Sequence, residues 1–389
     1  MTEAQEPVPR QPVLVLARYF EPAFRAGGPV RTLSALIDQA NQLFDVRVIT
    51  TNRDLKSSEP LAVAANVWVN RDSATVFYAD ASKPLSIFSA LRSARPMHPG
   101  IVYVNSFFDL KFALLPILLC KFRFFGKTQL LVAPRGEFGS GALGLKSAPK
   151  RLFLALFNFS RMGKEIVWHA STELEASDIR GAVPRAEKFV IKEDETHLPT
   201  SADAAQESEA RPLRAVFLSR ISPMKGLDVL LQSLEKVDTS VSLDVYGAVD
   251  DNEYLQECLA LAGRLGEKVK VTFRGEVPHE DVRETLASYD LMILPTRGEN
   301  FGHIIAEALS VSVPVMCSRH TPWTETLVAG GGVVVPQDSP DAWTSAVTDY
   351  AALSSAERNS RKRSAGKAYD QWAKKRDLTS IFERIAEKR

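Results

Sequence analysis

Two carboxylates, Glu299 and Glu307, bracket a turn at which an apolar run gives way to a helical pattern. The run Leu291-Met292-Ile293-Leu294 stops at Pro295 and a polar loop follows. From Phe301 onward apolar residues recur at 304, 305, 308 and 309, the spacing of one buried helix face. Strand, turn and helix in that order aim the unpaired N–H groups of a first helical turn at an anion. Gly302 has no side chain to block the approach. Positive charge comes from a second stretch, Leu218 to Asp228, where Arg220 lies just past an apolar run and Lys225 just before a helical pattern. Both are expected at the same sheet edge as Glu299. Two fixed cations there suit a diphosphate, first as a bound group and then as a leaving group.

Those side chains need a frame, and the frame is a doubled α/β pattern. Apolar runs at 12–17, 46–50, 101–105, 130–133 and 166–169, with weaker ones near Val67 and Val76, alternate with amphipathic segments such as 30–40 and 173–179. A second series has runs at 215–219, 241–246, 269–273, 291–294, 313–316 and 333–335, with helical patterns at 227–234, 254–265, 282–288 and 301–309. Continuous apolar runs of this length suit parallel strands buried on both faces. Their alternation with helices predicts two doubly wound, Rossmann-like domains facing across a cleft. The expected division is a first domain over 1–198, an exposed polar linker over 199–212, a second domain over 213–365 and a C-terminal helical segment over 366–389 that packs on the second domain or back on the first. Ligands of such sheets sit beyond the carboxyl ends of the strands, which singles out Gly27, Asn105, Arg135 and His169. The Gly27-Gly28-Pro29 loop before a helix lacks the Gly-x-Gly-x-x-Gly spacing of a dinucleotide fingerprint.

The 389 residues, 45% hydrophobic and 24% charged, are those of an ordinary folded protein of two domains. A net charge of +1 argues against bulk nucleic-acid binding. Three widely spaced cysteines, Cys120, Cys258 and Cys317, read as reduced thiols and not as a disulfide frame or zinc site. The first ten residues lack the apolar core of a signal peptide, and no apolar run approaches membrane-spanning length, so a cytoplasmic protein is expected. Charge is nevertheless concentrated locally. Between Lys111 and Lys164 ten cations face Glu137 alone, interleaved with Phe122, Phe124, Phe125, Phe153, Phe157 and Phe159. Solvated amphipathic helices are one reading, and peripheral contact with an anionic membrane is the sharper one. Nucleic acid is disfavoured, because the pattern offers no accessible platform for stacking bases.

Arg220 with Lys225-Gly226, then Glu299-x7-Glu307 with Phe301-Gly302, resembles the retaining GT-B glycosyltransferases of family 4, the group 1 glycosyltransferases. Gly27-Gly28-Pro29, Ala133-Pro134-Arg135-Gly136, His169-Ala170-Ser171-Thr172, Thr321-Pro322-Trp323 and Gly331-Gly332 extend the likeness to members that build bacterial surface polysaccharides. The resemblance implies a GT-B fold and transfer of a hexose-type sugar, with retention, from a UDP- or GDP-sugar to a glycan or lipid-linked glycan. It further implies catalytic roles for Glu299, Arg220 and Lys225, and donor contacts from Gly28, Asn300, Phe301, Gly302, His303 and Glu307 besides. Glu299 would contact the sugar. Glu307, six residues beyond Phe301 and about 9 Å along a helix axis, would take the ribose hydroxyls. Asn105, Arg135 and His169 become acceptor-side candidates. No metal or other cofactor is implied beyond the nucleotide-sugar co-substrate, and the expected location is the cytoplasm, peripherally at the inner face of the plasma membrane. The chain departs from the family pattern at Asn300, His303 and Ser312. Two alternatives share the scaffold, a nucleotide-sugar epimerase and a non-catalytic binding protein; intact charged positions argue against the second.

Overall fold

The computed structural model describes residues 10–83, 85–139, 147–208, 212–336 and 339–387. The chain forms two compact units, one of Met1–His197 with Asp377–Arg389 and the other of Leu198–Arg376.

In the first unit an eight-stranded sheet runs β3-β4-β2-β1-β5-β6-β7-β8. Its strands are β1 (Gln11–Leu16), β2 (Phe44–Thr51), β3 (Trp68–Asn70), β4 (Thr75–Ala79), β5 (Ile101–Val104), β6 (Gln129–Val132), β7 (Val167–Ala170) and β8 (Lys188–Ile191). All neighbours are parallel except β3, which pairs antiparallel with β4. The strands are apolar throughout because each face meets a different core. Val13 and Val15 of β1 belong to one buried cluster, Leu14 and Leu16 to the other. Helices α1 (Gly28–Ala40), α2 (Ser86–Ala94), α3 (Leu115–Lys121), α4 (Ser147–Phe159) and α5 (Glu173–Ala182) connect the strands. Strand β8 is absent from the sequence reading. It is a short edge strand that begins at an exposed lysine and offers only a weak apolar signal.

The second unit is a six-stranded, all-parallel sheet in the order β11-β10-β9-β12-β13-β14. Its strands are β9 (Leu213–Leu218), β10 (Val241–Tyr246), β11 (Val269–Gly275), β12 (Leu291–Leu294), β13 (Val315–Ser318) and β14 (Gly332–Val335). Helices α6 (Leu227–Leu234), α7 (Asn252–Ala262), α8 (Val282–Ala287), α9 (His303–Ser310), α10 (Pro340–Ala351) and α11 (Ser355–Lys375) cover it. The strand order reverses between β9 and β12, so the loops leaving these two strands part around a crevice. The expected fold class, two doubly wound α/β units, is present.

Three boundaries differ from the sequence reading. The stretch expected as an exposed linker lies against the second unit over its described residues 199–208. Tyr369 donates to the Pro199 carbonyl, Asp370 accepts from the Ala202 N–H, Arg283 pairs with Asp203 at 2.7 Å, and Ser208 is buried and bonded to Asp290. Small residues let its backbone approach these side chains; positions 209–211 lie outside the described residues. Next, no break falls at 365. Helix α11 is continuous through that point, opened by a capping box in which Ser354 and Glu357 satisfy each other's backbone N–H groups. The chain rejoins the first unit at Asp377, where α12 (Ile381–Ala386) buries Ile381, Phe382 and Ile385. Finally, the helix after β12 begins at His303 and not at Phe301, because Gly302 takes a left-handed conformation with φ of 82°. Ser312 also sits at positive φ, 58°, a conformation better suited to glycine. Its hydroxyl donates to the Asp203 carbonyl at 2.6 Å, which offsets part of that cost.

Candidate functional site

The loops that follow β9 and β12 are locked together by backbone contact. Gly226 has φ of 72°, and a Cβ there would lie 2.0 Å from the Pro295 carbonyl oxygen. The Arg297 N–H and the Thr296 hydroxyl both donate to the Met224 carbonyl. This contact carries Lys225 to Glu299, with Nζ 2.6 Å from Oε1 and only 13% and 9% of the two side chains exposed. Taking two charges out of water is costly, and only a pair as close as this one offsets that cost. Arg220 leaves β9 on the same edge and pairs with Asp250 at 2.9 Å. The loop carrying Asp250 is itself pinned by Gly247, whose missing Cβ leaves room for the Ser219 carbonyl.

The backbone on the far side of Glu299 is held as firmly. The Glu299 N–H donates to the His320 carbonyl, and the Trp323 indole donates to the Phe301 carbonyl at 2.5 Å. Trp372 of α11 packs on Trp323 with ring centroids 4.6 Å apart, and both rings meet Phe301. The His303 ring lies edge-on to Phe301. Gly302 accepts the first intrahelical bonds of α9 from Ile305 and Ala306, so His303 and Ile304 make up the first turn of the helix. Asn300 is half-buried beside them. Glu307 is 3% exposed and is therefore no solvated helix position; His279 Nδ1 stands 3.9 Å from its Oε1. Because the helix starts at His303, Glu307 lies four residues along it, about 6 Å and not 9 Å.

In the first unit the structure joins three of the residues chosen by their strand ends. Arg135, at φ of 54°, donates from Nε to Asn105 Oδ1 at 2.8 Å and from Nη2 to the Tyr103 hydroxyl at 2.6 Å, and pairs with Asp194. Tyr103 in turn meets His169 Nδ1 at 3.0 Å, and His169 Nε2 faces the Lys192 carbonyl at 3.2 Å. A carbonyl only accepts, so Nε2 carries the proton and Nδ1 accepts from Tyr103. Burial and the Arg135 charge hold the His169 pKa well below its ordinary value, which keeps the ring neutral. Burial is the largest single effect on Arg135 and works against its charge, but Asp194, Tyr103, Glu195 and Glu175 together more than offset it, so the charge is retained. The side chains of all these groups are buried, so the cluster forms a buried brace at the ends of β5 to β7. Gly28 stands apart as the first residue of α1; Thr32, one turn on, donates to Asp194 at 3.2 Å.

Several members were missed from sequence. Tyr103 hid inside an apolar strand, and Asp194 follows β8, which was itself unread. Glu175 accepts from the Gly136 and Ser171 N–H groups, and Glu137 accepts from Phe107 and Phe108, so the Pro134–Glu137 turn is tied on both sides. A cavity of about 670 Å³ in this unit opens at the amino ends of β6 to β8, beside Gln129, Val167 and Lys188, away from the strand ends that hold these residues.

Residues 201–369, most of the second unit, match the family described as glycosyl transferases group 1. A GDP-mannose-dependent alpha-(1-6)-phosphatidylinositol monomannoside mannosyltransferase of Mycolicibacterium smegmatis is 33% identical over 150 residues, 36% of this chain and 39% of the relative. A D-inositol 3-phosphate glycosyltransferase of Xylanimonas cellulosilytica is 30% identical over 131 residues, 33% of this chain and 31% of the relative. The chain thus spans well under half the length of these curated relatives. In fold the likeness extends over nearly the whole chain. HepE of Anabaena, solved in complex with UDP and glucose, superposes with a TM-score of 0.70 at 16% identity over 97% of this chain and 99% of that one. Sucrose-phosphate synthase of Thermosynechococcus elongatus gives 0.71 at 16% identity over 97% of each chain. Both likenesses are to glycosyltransferases of GT-B architecture, the fold class expected here.

Proposed function

We propose that the chain is a glycosyltransferase that moves a sugar from a nucleoside diphosphate to a glycan or lipid-linked glycan, with retention of anomeric configuration, in polysaccharide assembly. What supports this most is the contact of Lys225 with Glu299 at 2.6 Å, beside the first turn of α9. A diphosphate lying against the His303 and Ile304 N–H groups would have helix-terminus donors on one side and the Lys225 and Arg220 cations on the other. These charges gain most when the diphosphate departs, because the extra negative charge appears in the transition state. The diphosphate takes over the Lys225 ammonium, and Glu299 is then free to accept from sugar hydroxyls. Buried Glu307, farther along the helix, takes the ribose hydroxyls, and Asn300 and His303 shape the sugar pocket. The buried brace of Arg135, Asn105 and His169 positions the loops against which the acceptor lies.

The relatives point to both bases, since one is named for GDP-mannose and one neighbour was solved with UDP. The reaction is proposed to need no metal. Peripheral contact with the inner face of the plasma membrane through the basic 111–164 region completes the reading; no helix among the described residues is long and apolar enough to span a bilayer. Titration calorimetry with UDP and GDP, with and without chelator, tests the site. Wild type is expected to bind one of them whether or not chelator is present, and Arg220→Ala/Lys225→Ala to bind it at least tenfold more weakly. Equal affinities for wild type and the double variant would sink the assignment.

A further inference from the structure

The region between 111 and 164 does not form a single basic surface. Arg135 is buried in the brace described above, and Lys150 lies over the Phe108 ring at 5.3 Å, near the strand ends that hold the candidate residues. Lys146 lies outside the described residues. Lys121, Arg123, Lys127, Arg161 and Lys164 lie at the opposite, amino edge of the sheet. Helices α3 and α4 each run back from a strand's carboxyl end, so their C-termini meet there, and Lys121 Nζ touches the Ser160 carbonyl at 3.3 Å.

Helix α4 is apolar on two sides. Its inner side places Phe157 in the core and Phe153 against Phe107. Its outer side exposes Leu152 by 64%, Leu156 by 64% and Phe159 by 88%. Those positions, spaced four and three apart, form a single outward stripe, widened by exposed Ala155. Phe122, at the end of neighbouring α3, is 77% exposed. A helix that is apolar on both sides is normally covered on both. The flanks of the stripe say by what. From 147 to 164 the chain carries Lys150, Arg151, Arg161 and Lys164 and no acid, and α3 ends in Lys121 and Arg123. Arg151, Arg161, Lys121 and Arg123 are exposed, while Lys164 pairs with Glu187 at 3.0 Å. A second copy of the same face would bring cations against cations, whereas an anionic lipid surface complements both the charge and the apolar stripe.

We infer that α4 lies flat in the headgroup region of an anionic bilayer, with Leu152, Leu156 and Phe159 inserted beside Phe122, and with Arg151, Arg161, Lys121 and Arg123 on lipid phosphates. This refines the membrane contact proposed above and rests on it, but it does not depend on nucleotide binding. The test is flotation of the full chain at low salt with vesicles of phosphatidylglycerol and phosphatidylcholine in equal parts, beside vesicles of phosphatidylcholine alone. Wild type is expected to float with the anionic vesicles only. Leu152→Gln/Leu156→Gln/Phe159→Gln is expected to lower the bound fraction at least tenfold with an unchanged thermal melt. Phe159→Gln alone, at the most exposed position, lowers it about threefold and serves if the triple variant does not fold. Absent flotation of wild type, equal flotation with neutral vesicles, or undiminished flotation of the variants overturns the inference. So does a wild-type dimer that the triple variant turns into a monomer, because the stripe is then a protein seam. Failure to bind UDP and GDP, by contrast, overturns only the proposed donor site.

Discussion

His169 illustrates how a residue with catalytic chemistry is put to positional use. Its ring stands between the Tyr103 hydroxyl and the Lys192 carbonyl, and its positive form would face the charges of Arg135, Lys192 and Arg384. In the unfolded chain the ring takes a proton near its ordinary pKa of 6.5, while in the folded chain burial and Arg135 delay that until well below. The unfolded state therefore binds more protons as the pH falls below 6.5, and stability is lost in that direction by up to about 1.4 kcal/mol per pH unit. His169→Gln removes this component. The stability advantage of wild type over the variant, read from urea melts between pH 7.5 and 5, is expected to shrink as the pH falls. An advantage that stays constant or grows would show that the ring is charged in the folded state. The sequence singled out His169, Asn105 and Arg135 correctly as residues at strand ends. Their burial was not legible, because it depends on Tyr103 and Asp194, which no local pattern connects to them.

The elements that define the donor side meet through glycine. Gly226 lets the turn before α6 lie on the Pro295 carbonyl, and this contact, more than either loop alone, sets Lys225 against Glu299. Gly226→Ala adds a Cβ 2.0 Å from that oxygen, at a φ of 72° that itself costs about 1–2 kcal/mol for a residue with a side chain. The two loops must separate. Nucleoside diphosphate affinity is expected to fall at least tenfold, with a lower melting temperature, and an alanine variant that binds as wild type does would detach the contact from the site. Much of this half was legible in the chain. The apolar strands, the Lys225-Gly226 turn and the paired glutamates all carry local signals. What was not legible was long-range. The left-handed Gly302 moved the helix start, the Trp323–Trp372 packing depends on α11, and Asp250, the Arg220 partner, lies in a loop without a pattern of its own. The polar 199–208 stretch misled for the same reason, since its partners Asp290, Arg283 and Asp370 are far along the sequence.

The chain leaves the first unit after His197 and returns to it at Asp377, so the last residues complete a core begun by the first. Helix α12 supplies that return. Phe382 is fully buried, edge-on to Phe44 of β2 and Tyr103 of β5, with ring centroids 5.8 and 5.6 Å away. Truncating a buried phenylalanine to alanine typically costs 3–5 kcal/mol, a large share of the roughly 5–15 kcal/mol that stabilises a domain. Tyr103 is also a member of the Arg135 brace, so the damage reaches the acceptor side through one shared ring. Phe382→Ala is therefore expected to weaken the first unit while leaving the second intact, although the substitution falls after the second unit in the sequence. Hydrogen exchange separates the two outcomes. Amides of β1, β2 and β5 should exchange faster by about two to four orders of magnitude, and those of β9, β10 and β12 should keep wild-type protection, because opening free energies are set unit by unit. Equal loss of protection in both sheets would show that the chain unfolds as one block, and that the return of α12 serves the whole molecule and not the first unit.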